Sequence, residues 1–282
     1  MESELNLKSQ IPNLNFLVDT HTHLYEEQFD TDRTEMIERA INTGVSKMII
    51  PNVDSTTIKG MMDLVQQFPE SIFPMMGLHP CYVKPETYKQ ELEIVKKYLF
   101  DEISLTTHNS RLTTPFVAVG EIGIDMHWDK STLEIQKEAF EIQCDWAIEM
   151  NLPVAIHARE STHILIEILK KRKQNPRGVF HCFTGSLEEA NEIIKLGFYL
   201  GIGGVVTYKN TNLRDTLKQI PIDKIVLETD SPYLPPVPHR GKRNESSYTK
   251  LVAETLCTVF EKGLDEIATI TTQNAHDLFF KN

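Results

Sequence analysis

Eight times along its 282 residues the chain passes from a short β-branched or aliphatic run to a longer stretch whose apolar positions recur with helical period. The runs lie near 16–22 and over Lys47–Val53, Ile72–His79, Phe116–Ile122, Pro153–His157, Gly178–Cys182, Phe198–Gly203 and Lys224–Asp230. The helical stretches are Glu35–Asn42, 56–67, 86–100, Leu133–Met150, Ile164–Arg172, Leu187–Leu196 and Leu213–Gln219, with a last one from about Ser247; residues 101–115 read as a polar loop. Strands separated by helices need crossover connections and therefore pair in parallel. Eight such units in a chain of this size close most economically into an α/β fold of the (β/α)8 TIM-like barrel type. An open doubly wound sheet, the other arrangement, calls for a glycine-rich phosphate-binding turn after its first strand. Here that turn is His21-Thr-His23.

No repeat, low-complexity segment or linker divides the chain, so one domain over 1–282 is expected, with residues 1–15 a polar N-terminal extension. No apolar run approaches the ~20 residues that cross a bilayer, and Met1–Asn15 has no signal-peptide core. The expected location is the cytoplasm, without a membrane partner, and a monomer is the expected state. Cys81, Cys144, Cys182 and Cys257 show no CxxC spacing and read as free thiols. The net charge of −11 argues against indiscriminate binding to nucleic acid, so any basic surface must be local.

The chemistry collects at the ends of the runs. His21 and His23 alternate along an extended segment and share a face, although such a pair taken alone is commonly just a polar strand end. His79, Glu121, His157, His181 and Asp230 end the third, fourth, fifth, sixth and eighth runs, and the C-terminal ends of barrel strands are where this fold builds active sites. Imidazoles and carboxylates suit Zn, Mn, Co or Fe. The set exceeds what one tetrahedral ion requires, which points to two ions with a bridging carboxylate and to hydrolysis by an activated water.

Asp19-Thr-His-Thr-His23, Gly120-Glu-Ile-Gly-Ile-Asp125, Pro153-Val-Ala-Ile-His-Ala-Arg159, His181-Cys-Phe-Thr-Gly185 and Glu228-Thr-Asp-Ser-Pro-Tyr-Leu234 resemble, in order, the signatures of the TatD family of metal-dependent deoxyribonucleases. The resemblance runs from about Leu17 to Phe279. It implies a metallo-dependent hydrolase barrel that cleaves DNA phosphodiesters from a 3′ end, on single-stranded or frayed substrate, with two divalent ions (Mg, Mn or Zn). It further implies that His21, His23 and Asp230 hold one ion, that His157 and His181 hold the other, and that Glu121 bridges. Asp230 would also accept a proton from the nucleophilic water, and His79 and Arg159 would face the substrate. For Arg159 an ion pair with Glu160 or a helix-capping role stays open. In Arg240-Gly-Lys-Arg-Asn-Glu245 the resemblance makes Arg240 and Arg243 phosphate-binding residues, with Lys209 and Arg214 extending the patch. Tyr25, Cys81, Ser161, His163 and Ser246 depart from the usual family pattern, which leaves the hydrolase chemistry intact and the substrate preference open.

Two other functions are compatible with these residues. One is an esterase or amidohydrolase acting on a non-DNA substrate, such as aminoacyl-tRNA. Glu121 stands where many binuclear amidohydrolases have a lysine, which weighs against a cyclic amidase but not against an ester. The other is a non-catalytic scaffold, which would be expected to have lost ligands.

Overall fold

The structure is a computed structural model that describes residues 16–101 and 115–281. The N-terminal extension lies outside the described residues, as do 102–114 of the expected polar loop.

Eight strands, β1 (Leu17–Asp19), β2 (Val45–Pro51), β3 (Ile72–Met76), β4 (Ala118–Asp125), β5 (Val154–Arg159), β6 (Gly178–Phe180), β7 (Tyr199–Ile202) and β8 (Ile225–Leu227), lie side by side in chain order. Each pairs in parallel with the next. The backbone N–H of Thr20 donates to Leu227 O at 2.9 Å, and Thr22 bridges Ser231 in parallel. The two ends of the sheet thus meet as a barrel. Helices α1 (Arg33–Asn42), α2 (Ile58–Gln67), α3 (Tyr88–Phe100), α4 (Leu133–Glu149), α5 (Thr162–Lys171), α6 (Leu187–Lys195), α7 (Leu213–Leu217) and α8 (Thr249–Phe260) follow the strands in turn.

The period of two along each strand sorts its side chains into two cores. Met48, Ile50, Ile156, Phe180, Ile225 and Leu227 join the layer beneath the helices. Val18, Ile49, Met75, Ala155, Val179 and Val226 form a second cluster inside the barrel. A ninth helix, α9 (Leu264–Phe279), contributes Ala275, Leu278 and Phe279 to that inner cluster. Asn274 donates to Ile222 O and Ile225 O, and Arg177 to Leu278 O, so α9 is fastened across the N-terminal ends of the strands. The helical tail expected from Ser247 is therefore two helices. Glu261 breaks it with a left-handed backbone (φ 53°), a conformation that ends helices.

Candidate metal centre

Strand alternation aims several polar side chains at the barrel mouth. Ala155 and Val179 face inward, so His157 and His181, two residues on, face inward too, and Val226 places Glu228 in the same way. Glu121 needs a correction to that rule. Val119 faces outward, and strict alternation would send Glu121 outward with it. The β4–β5 register shifts between Val119 and Ile122, Ile122 takes the outward position, and Glu121 turns in. Gly123 makes the local approach possible: its φ is +146° and a Cβ there would meet His157 O at 2.0 Å. His21, His23, His79, His181 and Asp230 lie just beyond the strand ends, and Asp230 is held at φ 55° with its N–H donating to His21 O at 2.9 Å.

The other six strand-end residues gather around Glu121. Its Oε2 faces His21 Nε2 at 3.1 Å and His23 Nε2 at 3.7 Å, and these rings stand 3.9 and 3.4 Å from Asp230 Oδ1. Its Oε1 faces His157 Nδ1 at 2.9 Å and His181 Nε2 at 2.7 Å, with 3.3 Å between those nitrogens. Donor atoms ~2.1 Å from one ion, arranged tetrahedrally, stand ~3.4 Å from each other. The donor separations fit two such groups sharing one carboxylate. His21 Nδ1 and His181 Nδ1 are buried without a hydrogen-bond partner, Glu228 Oε1 being 3.8 Å from the latter. Those two nitrogens point away from the cluster. The atoms that face it are His21 Nε2, His23 Nε2, His157 Nδ1 and His181 Nε2, gathered around the Glu121 carboxylate as a cation-binding donor set requires.

Neighbouring groups assign the ring protons. The Tyr25 hydroxyl donates to Pro51 O at 2.7 Å, so its oxygen accepts from His23 Nδ1 at 3.0 Å and leaves His23 Nε2 bare. Asp125 Oδ2 accepts from His157 Nε2 at 2.9 Å and leaves Nδ1 bare toward Glu121. His79 is the reverse case. By distance it groups with Glu121 and His157 as a third set of donors. The backbone N–H of Cys81, however, donates to His79 Nδ1 at 3.0 Å, so a neutral ring carries its proton on Nε2, 3.3 Å from Glu121 Oε1. His79 is thereby a hydrogen-bond donor aimed into the site.

The charges are shared between the two kinds of group. Burial opposes the charged form of His23, His157 and His181, but the adjoining Asp230, Asp125 and Glu121 raise all three, His181 the most, so a cation bound here would compete with protons for these rings. Burial opposes ionisation of Glu121, but the surrounding His181, His79 and His21 hold it well below the usual carboxylate range. Burial likewise opposes ionisation of Asp230, and the neighbouring His23 and His181 overcome it. Burial, with repulsion from His181, pushes His21 down toward the neutral form that ligates.

The arginines differ among themselves. Arg159 is exposed and its guanidinium lies 5.5 Å from the Trp128 ring, while Glu160 pairs with His127 at 2.8 Å and Lys130 at 3.7 Å. Arg240, also exposed, lies over Tyr208 at 4.1 Å. Arg243 is engaged: it donates to both carboxylate oxygens of Asp32, at 2.6 and 2.8 Å, and stacks over Phe29. Arg214 donates to Val206 O and Tyr208 O. Lys209 and His163 are exposed. Ser161 donates to Ile124 O at 2.5 Å, and Ser246 is buried with Thr22 Oγ1 at 3.3 Å.

Sequence reasoning passed over Asp125 and Glu228. Asp125 stands four residues after Glu121 on the same strand, so parity alone puts both on one face. Buried Gln136 holds it there by accepting from its N–H at 2.8 Å. Glu228 precedes Asp230 by two, is buried, and accepts from Cys182 N at 2.6 Å. No described helix is long and apolar enough to cross a membrane.

Residues 18–280 match the family model of TatD-related DNases. The uncharacterized metal-dependent hydrolase YabD of Bacillus subtilis is 43% identical over 265 residues, which cover 93% of this chain and 98% of that one. The solved structure of YjjV, a TatD homologue from Escherichia coli, superposes with a TM-score of 0.84 at 30% identity and covers 94% of this chain and 98% of its own. An organophosphorus hydrolase from Deinococcus radiodurans shares the fold, with a TM-score of 0.66 at 14% identity over 94% of this chain and 92% of that one. This chain belongs to the TatD family and is a metal-dependent hydrolase built on a (β/α)8 barrel.

Proposed function

We propose that the chain is a 3′–5′ exodeoxyribonuclease that removes nucleotides from single-stranded or frayed DNA ends. The observation that carries this reading is the donor cluster centred on Glu121, in a chain that matches a family of TatD-related DNases. His21, His23 and Asp230 would hold one divalent ion, Mg, Mn or Zn, and His157 and His181 the other, with Glu121 between them. Two ions so held would lower the pKa of an attacking water and neutralise charge on the phosphoryl oxygens.

The residues of the chain supply the rest. Asp230, ionised and partly open to solvent, accepts the proton of the attacking water. Water adds at phosphorus, the bond from phosphorus to the 3′ oxygen breaks, and that oxygen leaves as the new 3′ hydroxyl with a proton from solvent, while Asp230 returns the one it accepted to solvent. His79 Nε2–H donates to a phosphoryl oxygen, and Arg159 offers a fork of donors to the same group. Exposed Tyr82 and Tyr233, whose rings lie 6.0 Å from His79 and 5.9 Å from His23, give bases flat surfaces beside the cluster.

The test is a panel of single-stranded, duplex and 3′-blocked oligonucleotides plus a D-aminoacyl-tRNA, offered to metal-stripped protein with Mg²⁺, Mn²⁺ or Zn²⁺ restored. Shortening of free 3′ ends, abolished by EDTA and by Glu121→Ala, is expected. Full activity in chelator, or cleavage of the aminoacyl ester with no oligonucleotide shortened, would overturn the reading.

A further inference from the structure

Trp128 is 72% exposed, more than any other large apolar side chain among the described residues. An indole left in water costs solvation that a mobile loop could relieve by folding it away. This loop is not free to do so. The N–H groups of His127 and Trp128 donate to Asp125 Oδ1 at 2.9 and 3.2 Å, and Met126 N donates to Arg159 O at 2.9 Å. The Asp129 carboxylate accepts from Ser131 N at 2.9 Å and fixes the exit of the turn. The ring is thus held out on a pinned turn, and the carboxylate that pins it is the one hydrogen-bonded to His157.

Arg159 lies beside the indole, two residues beyond His157 on β5. Among the described residues its guanidinium makes no ion pair and no side-chain hydrogen bond, because Glu160 is taken by His127 and Lys130. The guanidinium, free of ion pairs, lies 5.5 Å over an indole that also meets His127 edge-on at 5.0 Å and still leaves 72% of its surface open. Such a cation and ring adjoining a metal centre are a donor set for one nucleotide, the open part of the ring stacking a base and the fork taking a phosphate. The protein as a whole is strongly acidic. Stacking at a fixed ring contributes affinity without requiring a wide basic field.

We propose that Trp128 and Arg159 form a nucleotide subsite at the rim of the metal centre, taking one base and one phosphate of a single-stranded substrate; this rests on the deoxyribonuclease reading above. The experiment compares wild type with Trp128→Ala and Trp128→Phe, as metal-loaded full chains, on an oligonucleotide and on a series carrying one abasic position each. Trp128→Ala should raise KM by about 5- to 150-fold, the range that base stacking on an aromatic ring spans, while kcat changes little. One abasic position should raise the wild-type KM by a similar factor and leave that of Trp128→Ala unchanged. Trp128→Phe should recover part of the loss. The chain has 2 tryptophans and Trp146 is buried, so quenching of intrinsic fluorescence by a non-cleavable phosphorothioate oligonucleotide reports on Trp128 directly. Oligonucleotide cleavage with equal KM in wild type and Trp128→Ala, or no quenching at saturation, overturns the subsite and leaves the nuclease reading standing. A wild type that cleaves no oligonucleotide overturns both.

Discussion

Asp125→Asn tests whether the ring protons are set as the geometry requires. Asp125 Oδ1 accepts two backbone N–H groups, at 2.9 and 3.2 Å, and Oδ2 accepts from His157 Nε2 at 2.9 Å. An asparagine has one acceptor oxygen, and the two backbone donors cannot move, so the oxygen stays with them. The amide nitrogen then faces His157 and forces Nε2 to accept. The ring proton moves to Nδ1, which faces Glu121 Oε1 at 2.9 Å and is satisfied there as a donor. A protonated nitrogen does not ligate. Recovering the ligating tautomer means losing a hydrogen bond to a charged acceptor, worth ~1.5–3 kcal/mol. That converts to about a 10- to 150-fold weaker metal Kd at this position, in line with the 10- to 100-fold typical of such outer partners. Competition with a chromophoric chelator measures the Kd, and nitrogen chemical shifts of the metal-free protein report which His157 nitrogen bears the proton. An unchanged Kd, or a variant whose Nε2 still carries the proton, would refute the reasoning. Circular dichroism guards against a trivial cause, since the backbone hydrogen bonds of the turn survive the substitution.

Two further substitutions follow from the same structure. Tyr25→Phe leaves His23 Nδ1–H and Pro51 O without a buried partner, at a cost of ~1–3 kcal/mol; the chelator competition should show metal binding weakened by about 10-fold, and unchanged binding would contradict the role given to the hydroxyl. Asp32, between Arg243 and Arg39, has its carboxyl lowered to about 2 by the Arg243 hydrogen bonds. Since the folded value lies below the unfolded ~3.9, the stability from this group is fully present above pH ~4 and is lost as pH falls through about 2. With the carboxylate 31% exposed, screening reduces that contribution to ~1 kcal/mol. Asp32→Asn should therefore lower Tm by about 2–4 °C at pH 7, and the gap should close near pH 2; a gap that widens on acidification would show the sign to be wrong.

The barrel was legible because alternation of short apolar runs with helical periods admits few other solutions for eight units. What was not legible depends on conformations that carry no period. The register shift that turns Glu121 inward contradicts strand parity, and the residue was found by its place at the end of the fourth run rather than by its face. The split of the C-terminal tail depends on one left-handed residue, Glu261, whose identity gives no warning. Arg243 reads as a phosphate contact in sequence because Asp32, which engages its fork, lies 211 residues away. Asp125, by contrast, was within reach of sequence reasoning. Its parity with Glu121 was available, but the fourth run was ended at Ile122, three residues short of it, whereas the strand continues to Asp125.

Five imidazoles around one carboxylate are not equivalent, and their differences come from groups that would touch no ion. Tyr25 and Asp125 accept protons from the far nitrogens of His23 and His157 and leave the near ones bare. The Cys81 N–H does the opposite for His79 and makes it a donor. Whether such a position tolerates change depends on which atom acts. At Cys81 the acting atom is backbone, and the thiol, raised to about 12 chiefly by burial, stays protonated, so the side chain is free to vary. At Tyr25 the acting atom is the side-chain hydroxyl. A carboxylate or amide oxygen could accept the same proton there, but neither extends as far as the phenol does to Pro51 O on the next strand. The phenol thus ties a candidate ligand to β2 while setting its tautomer. A departure from the family pattern that looked like a question about substrate is, in its contacts, a feature of how His23 is held.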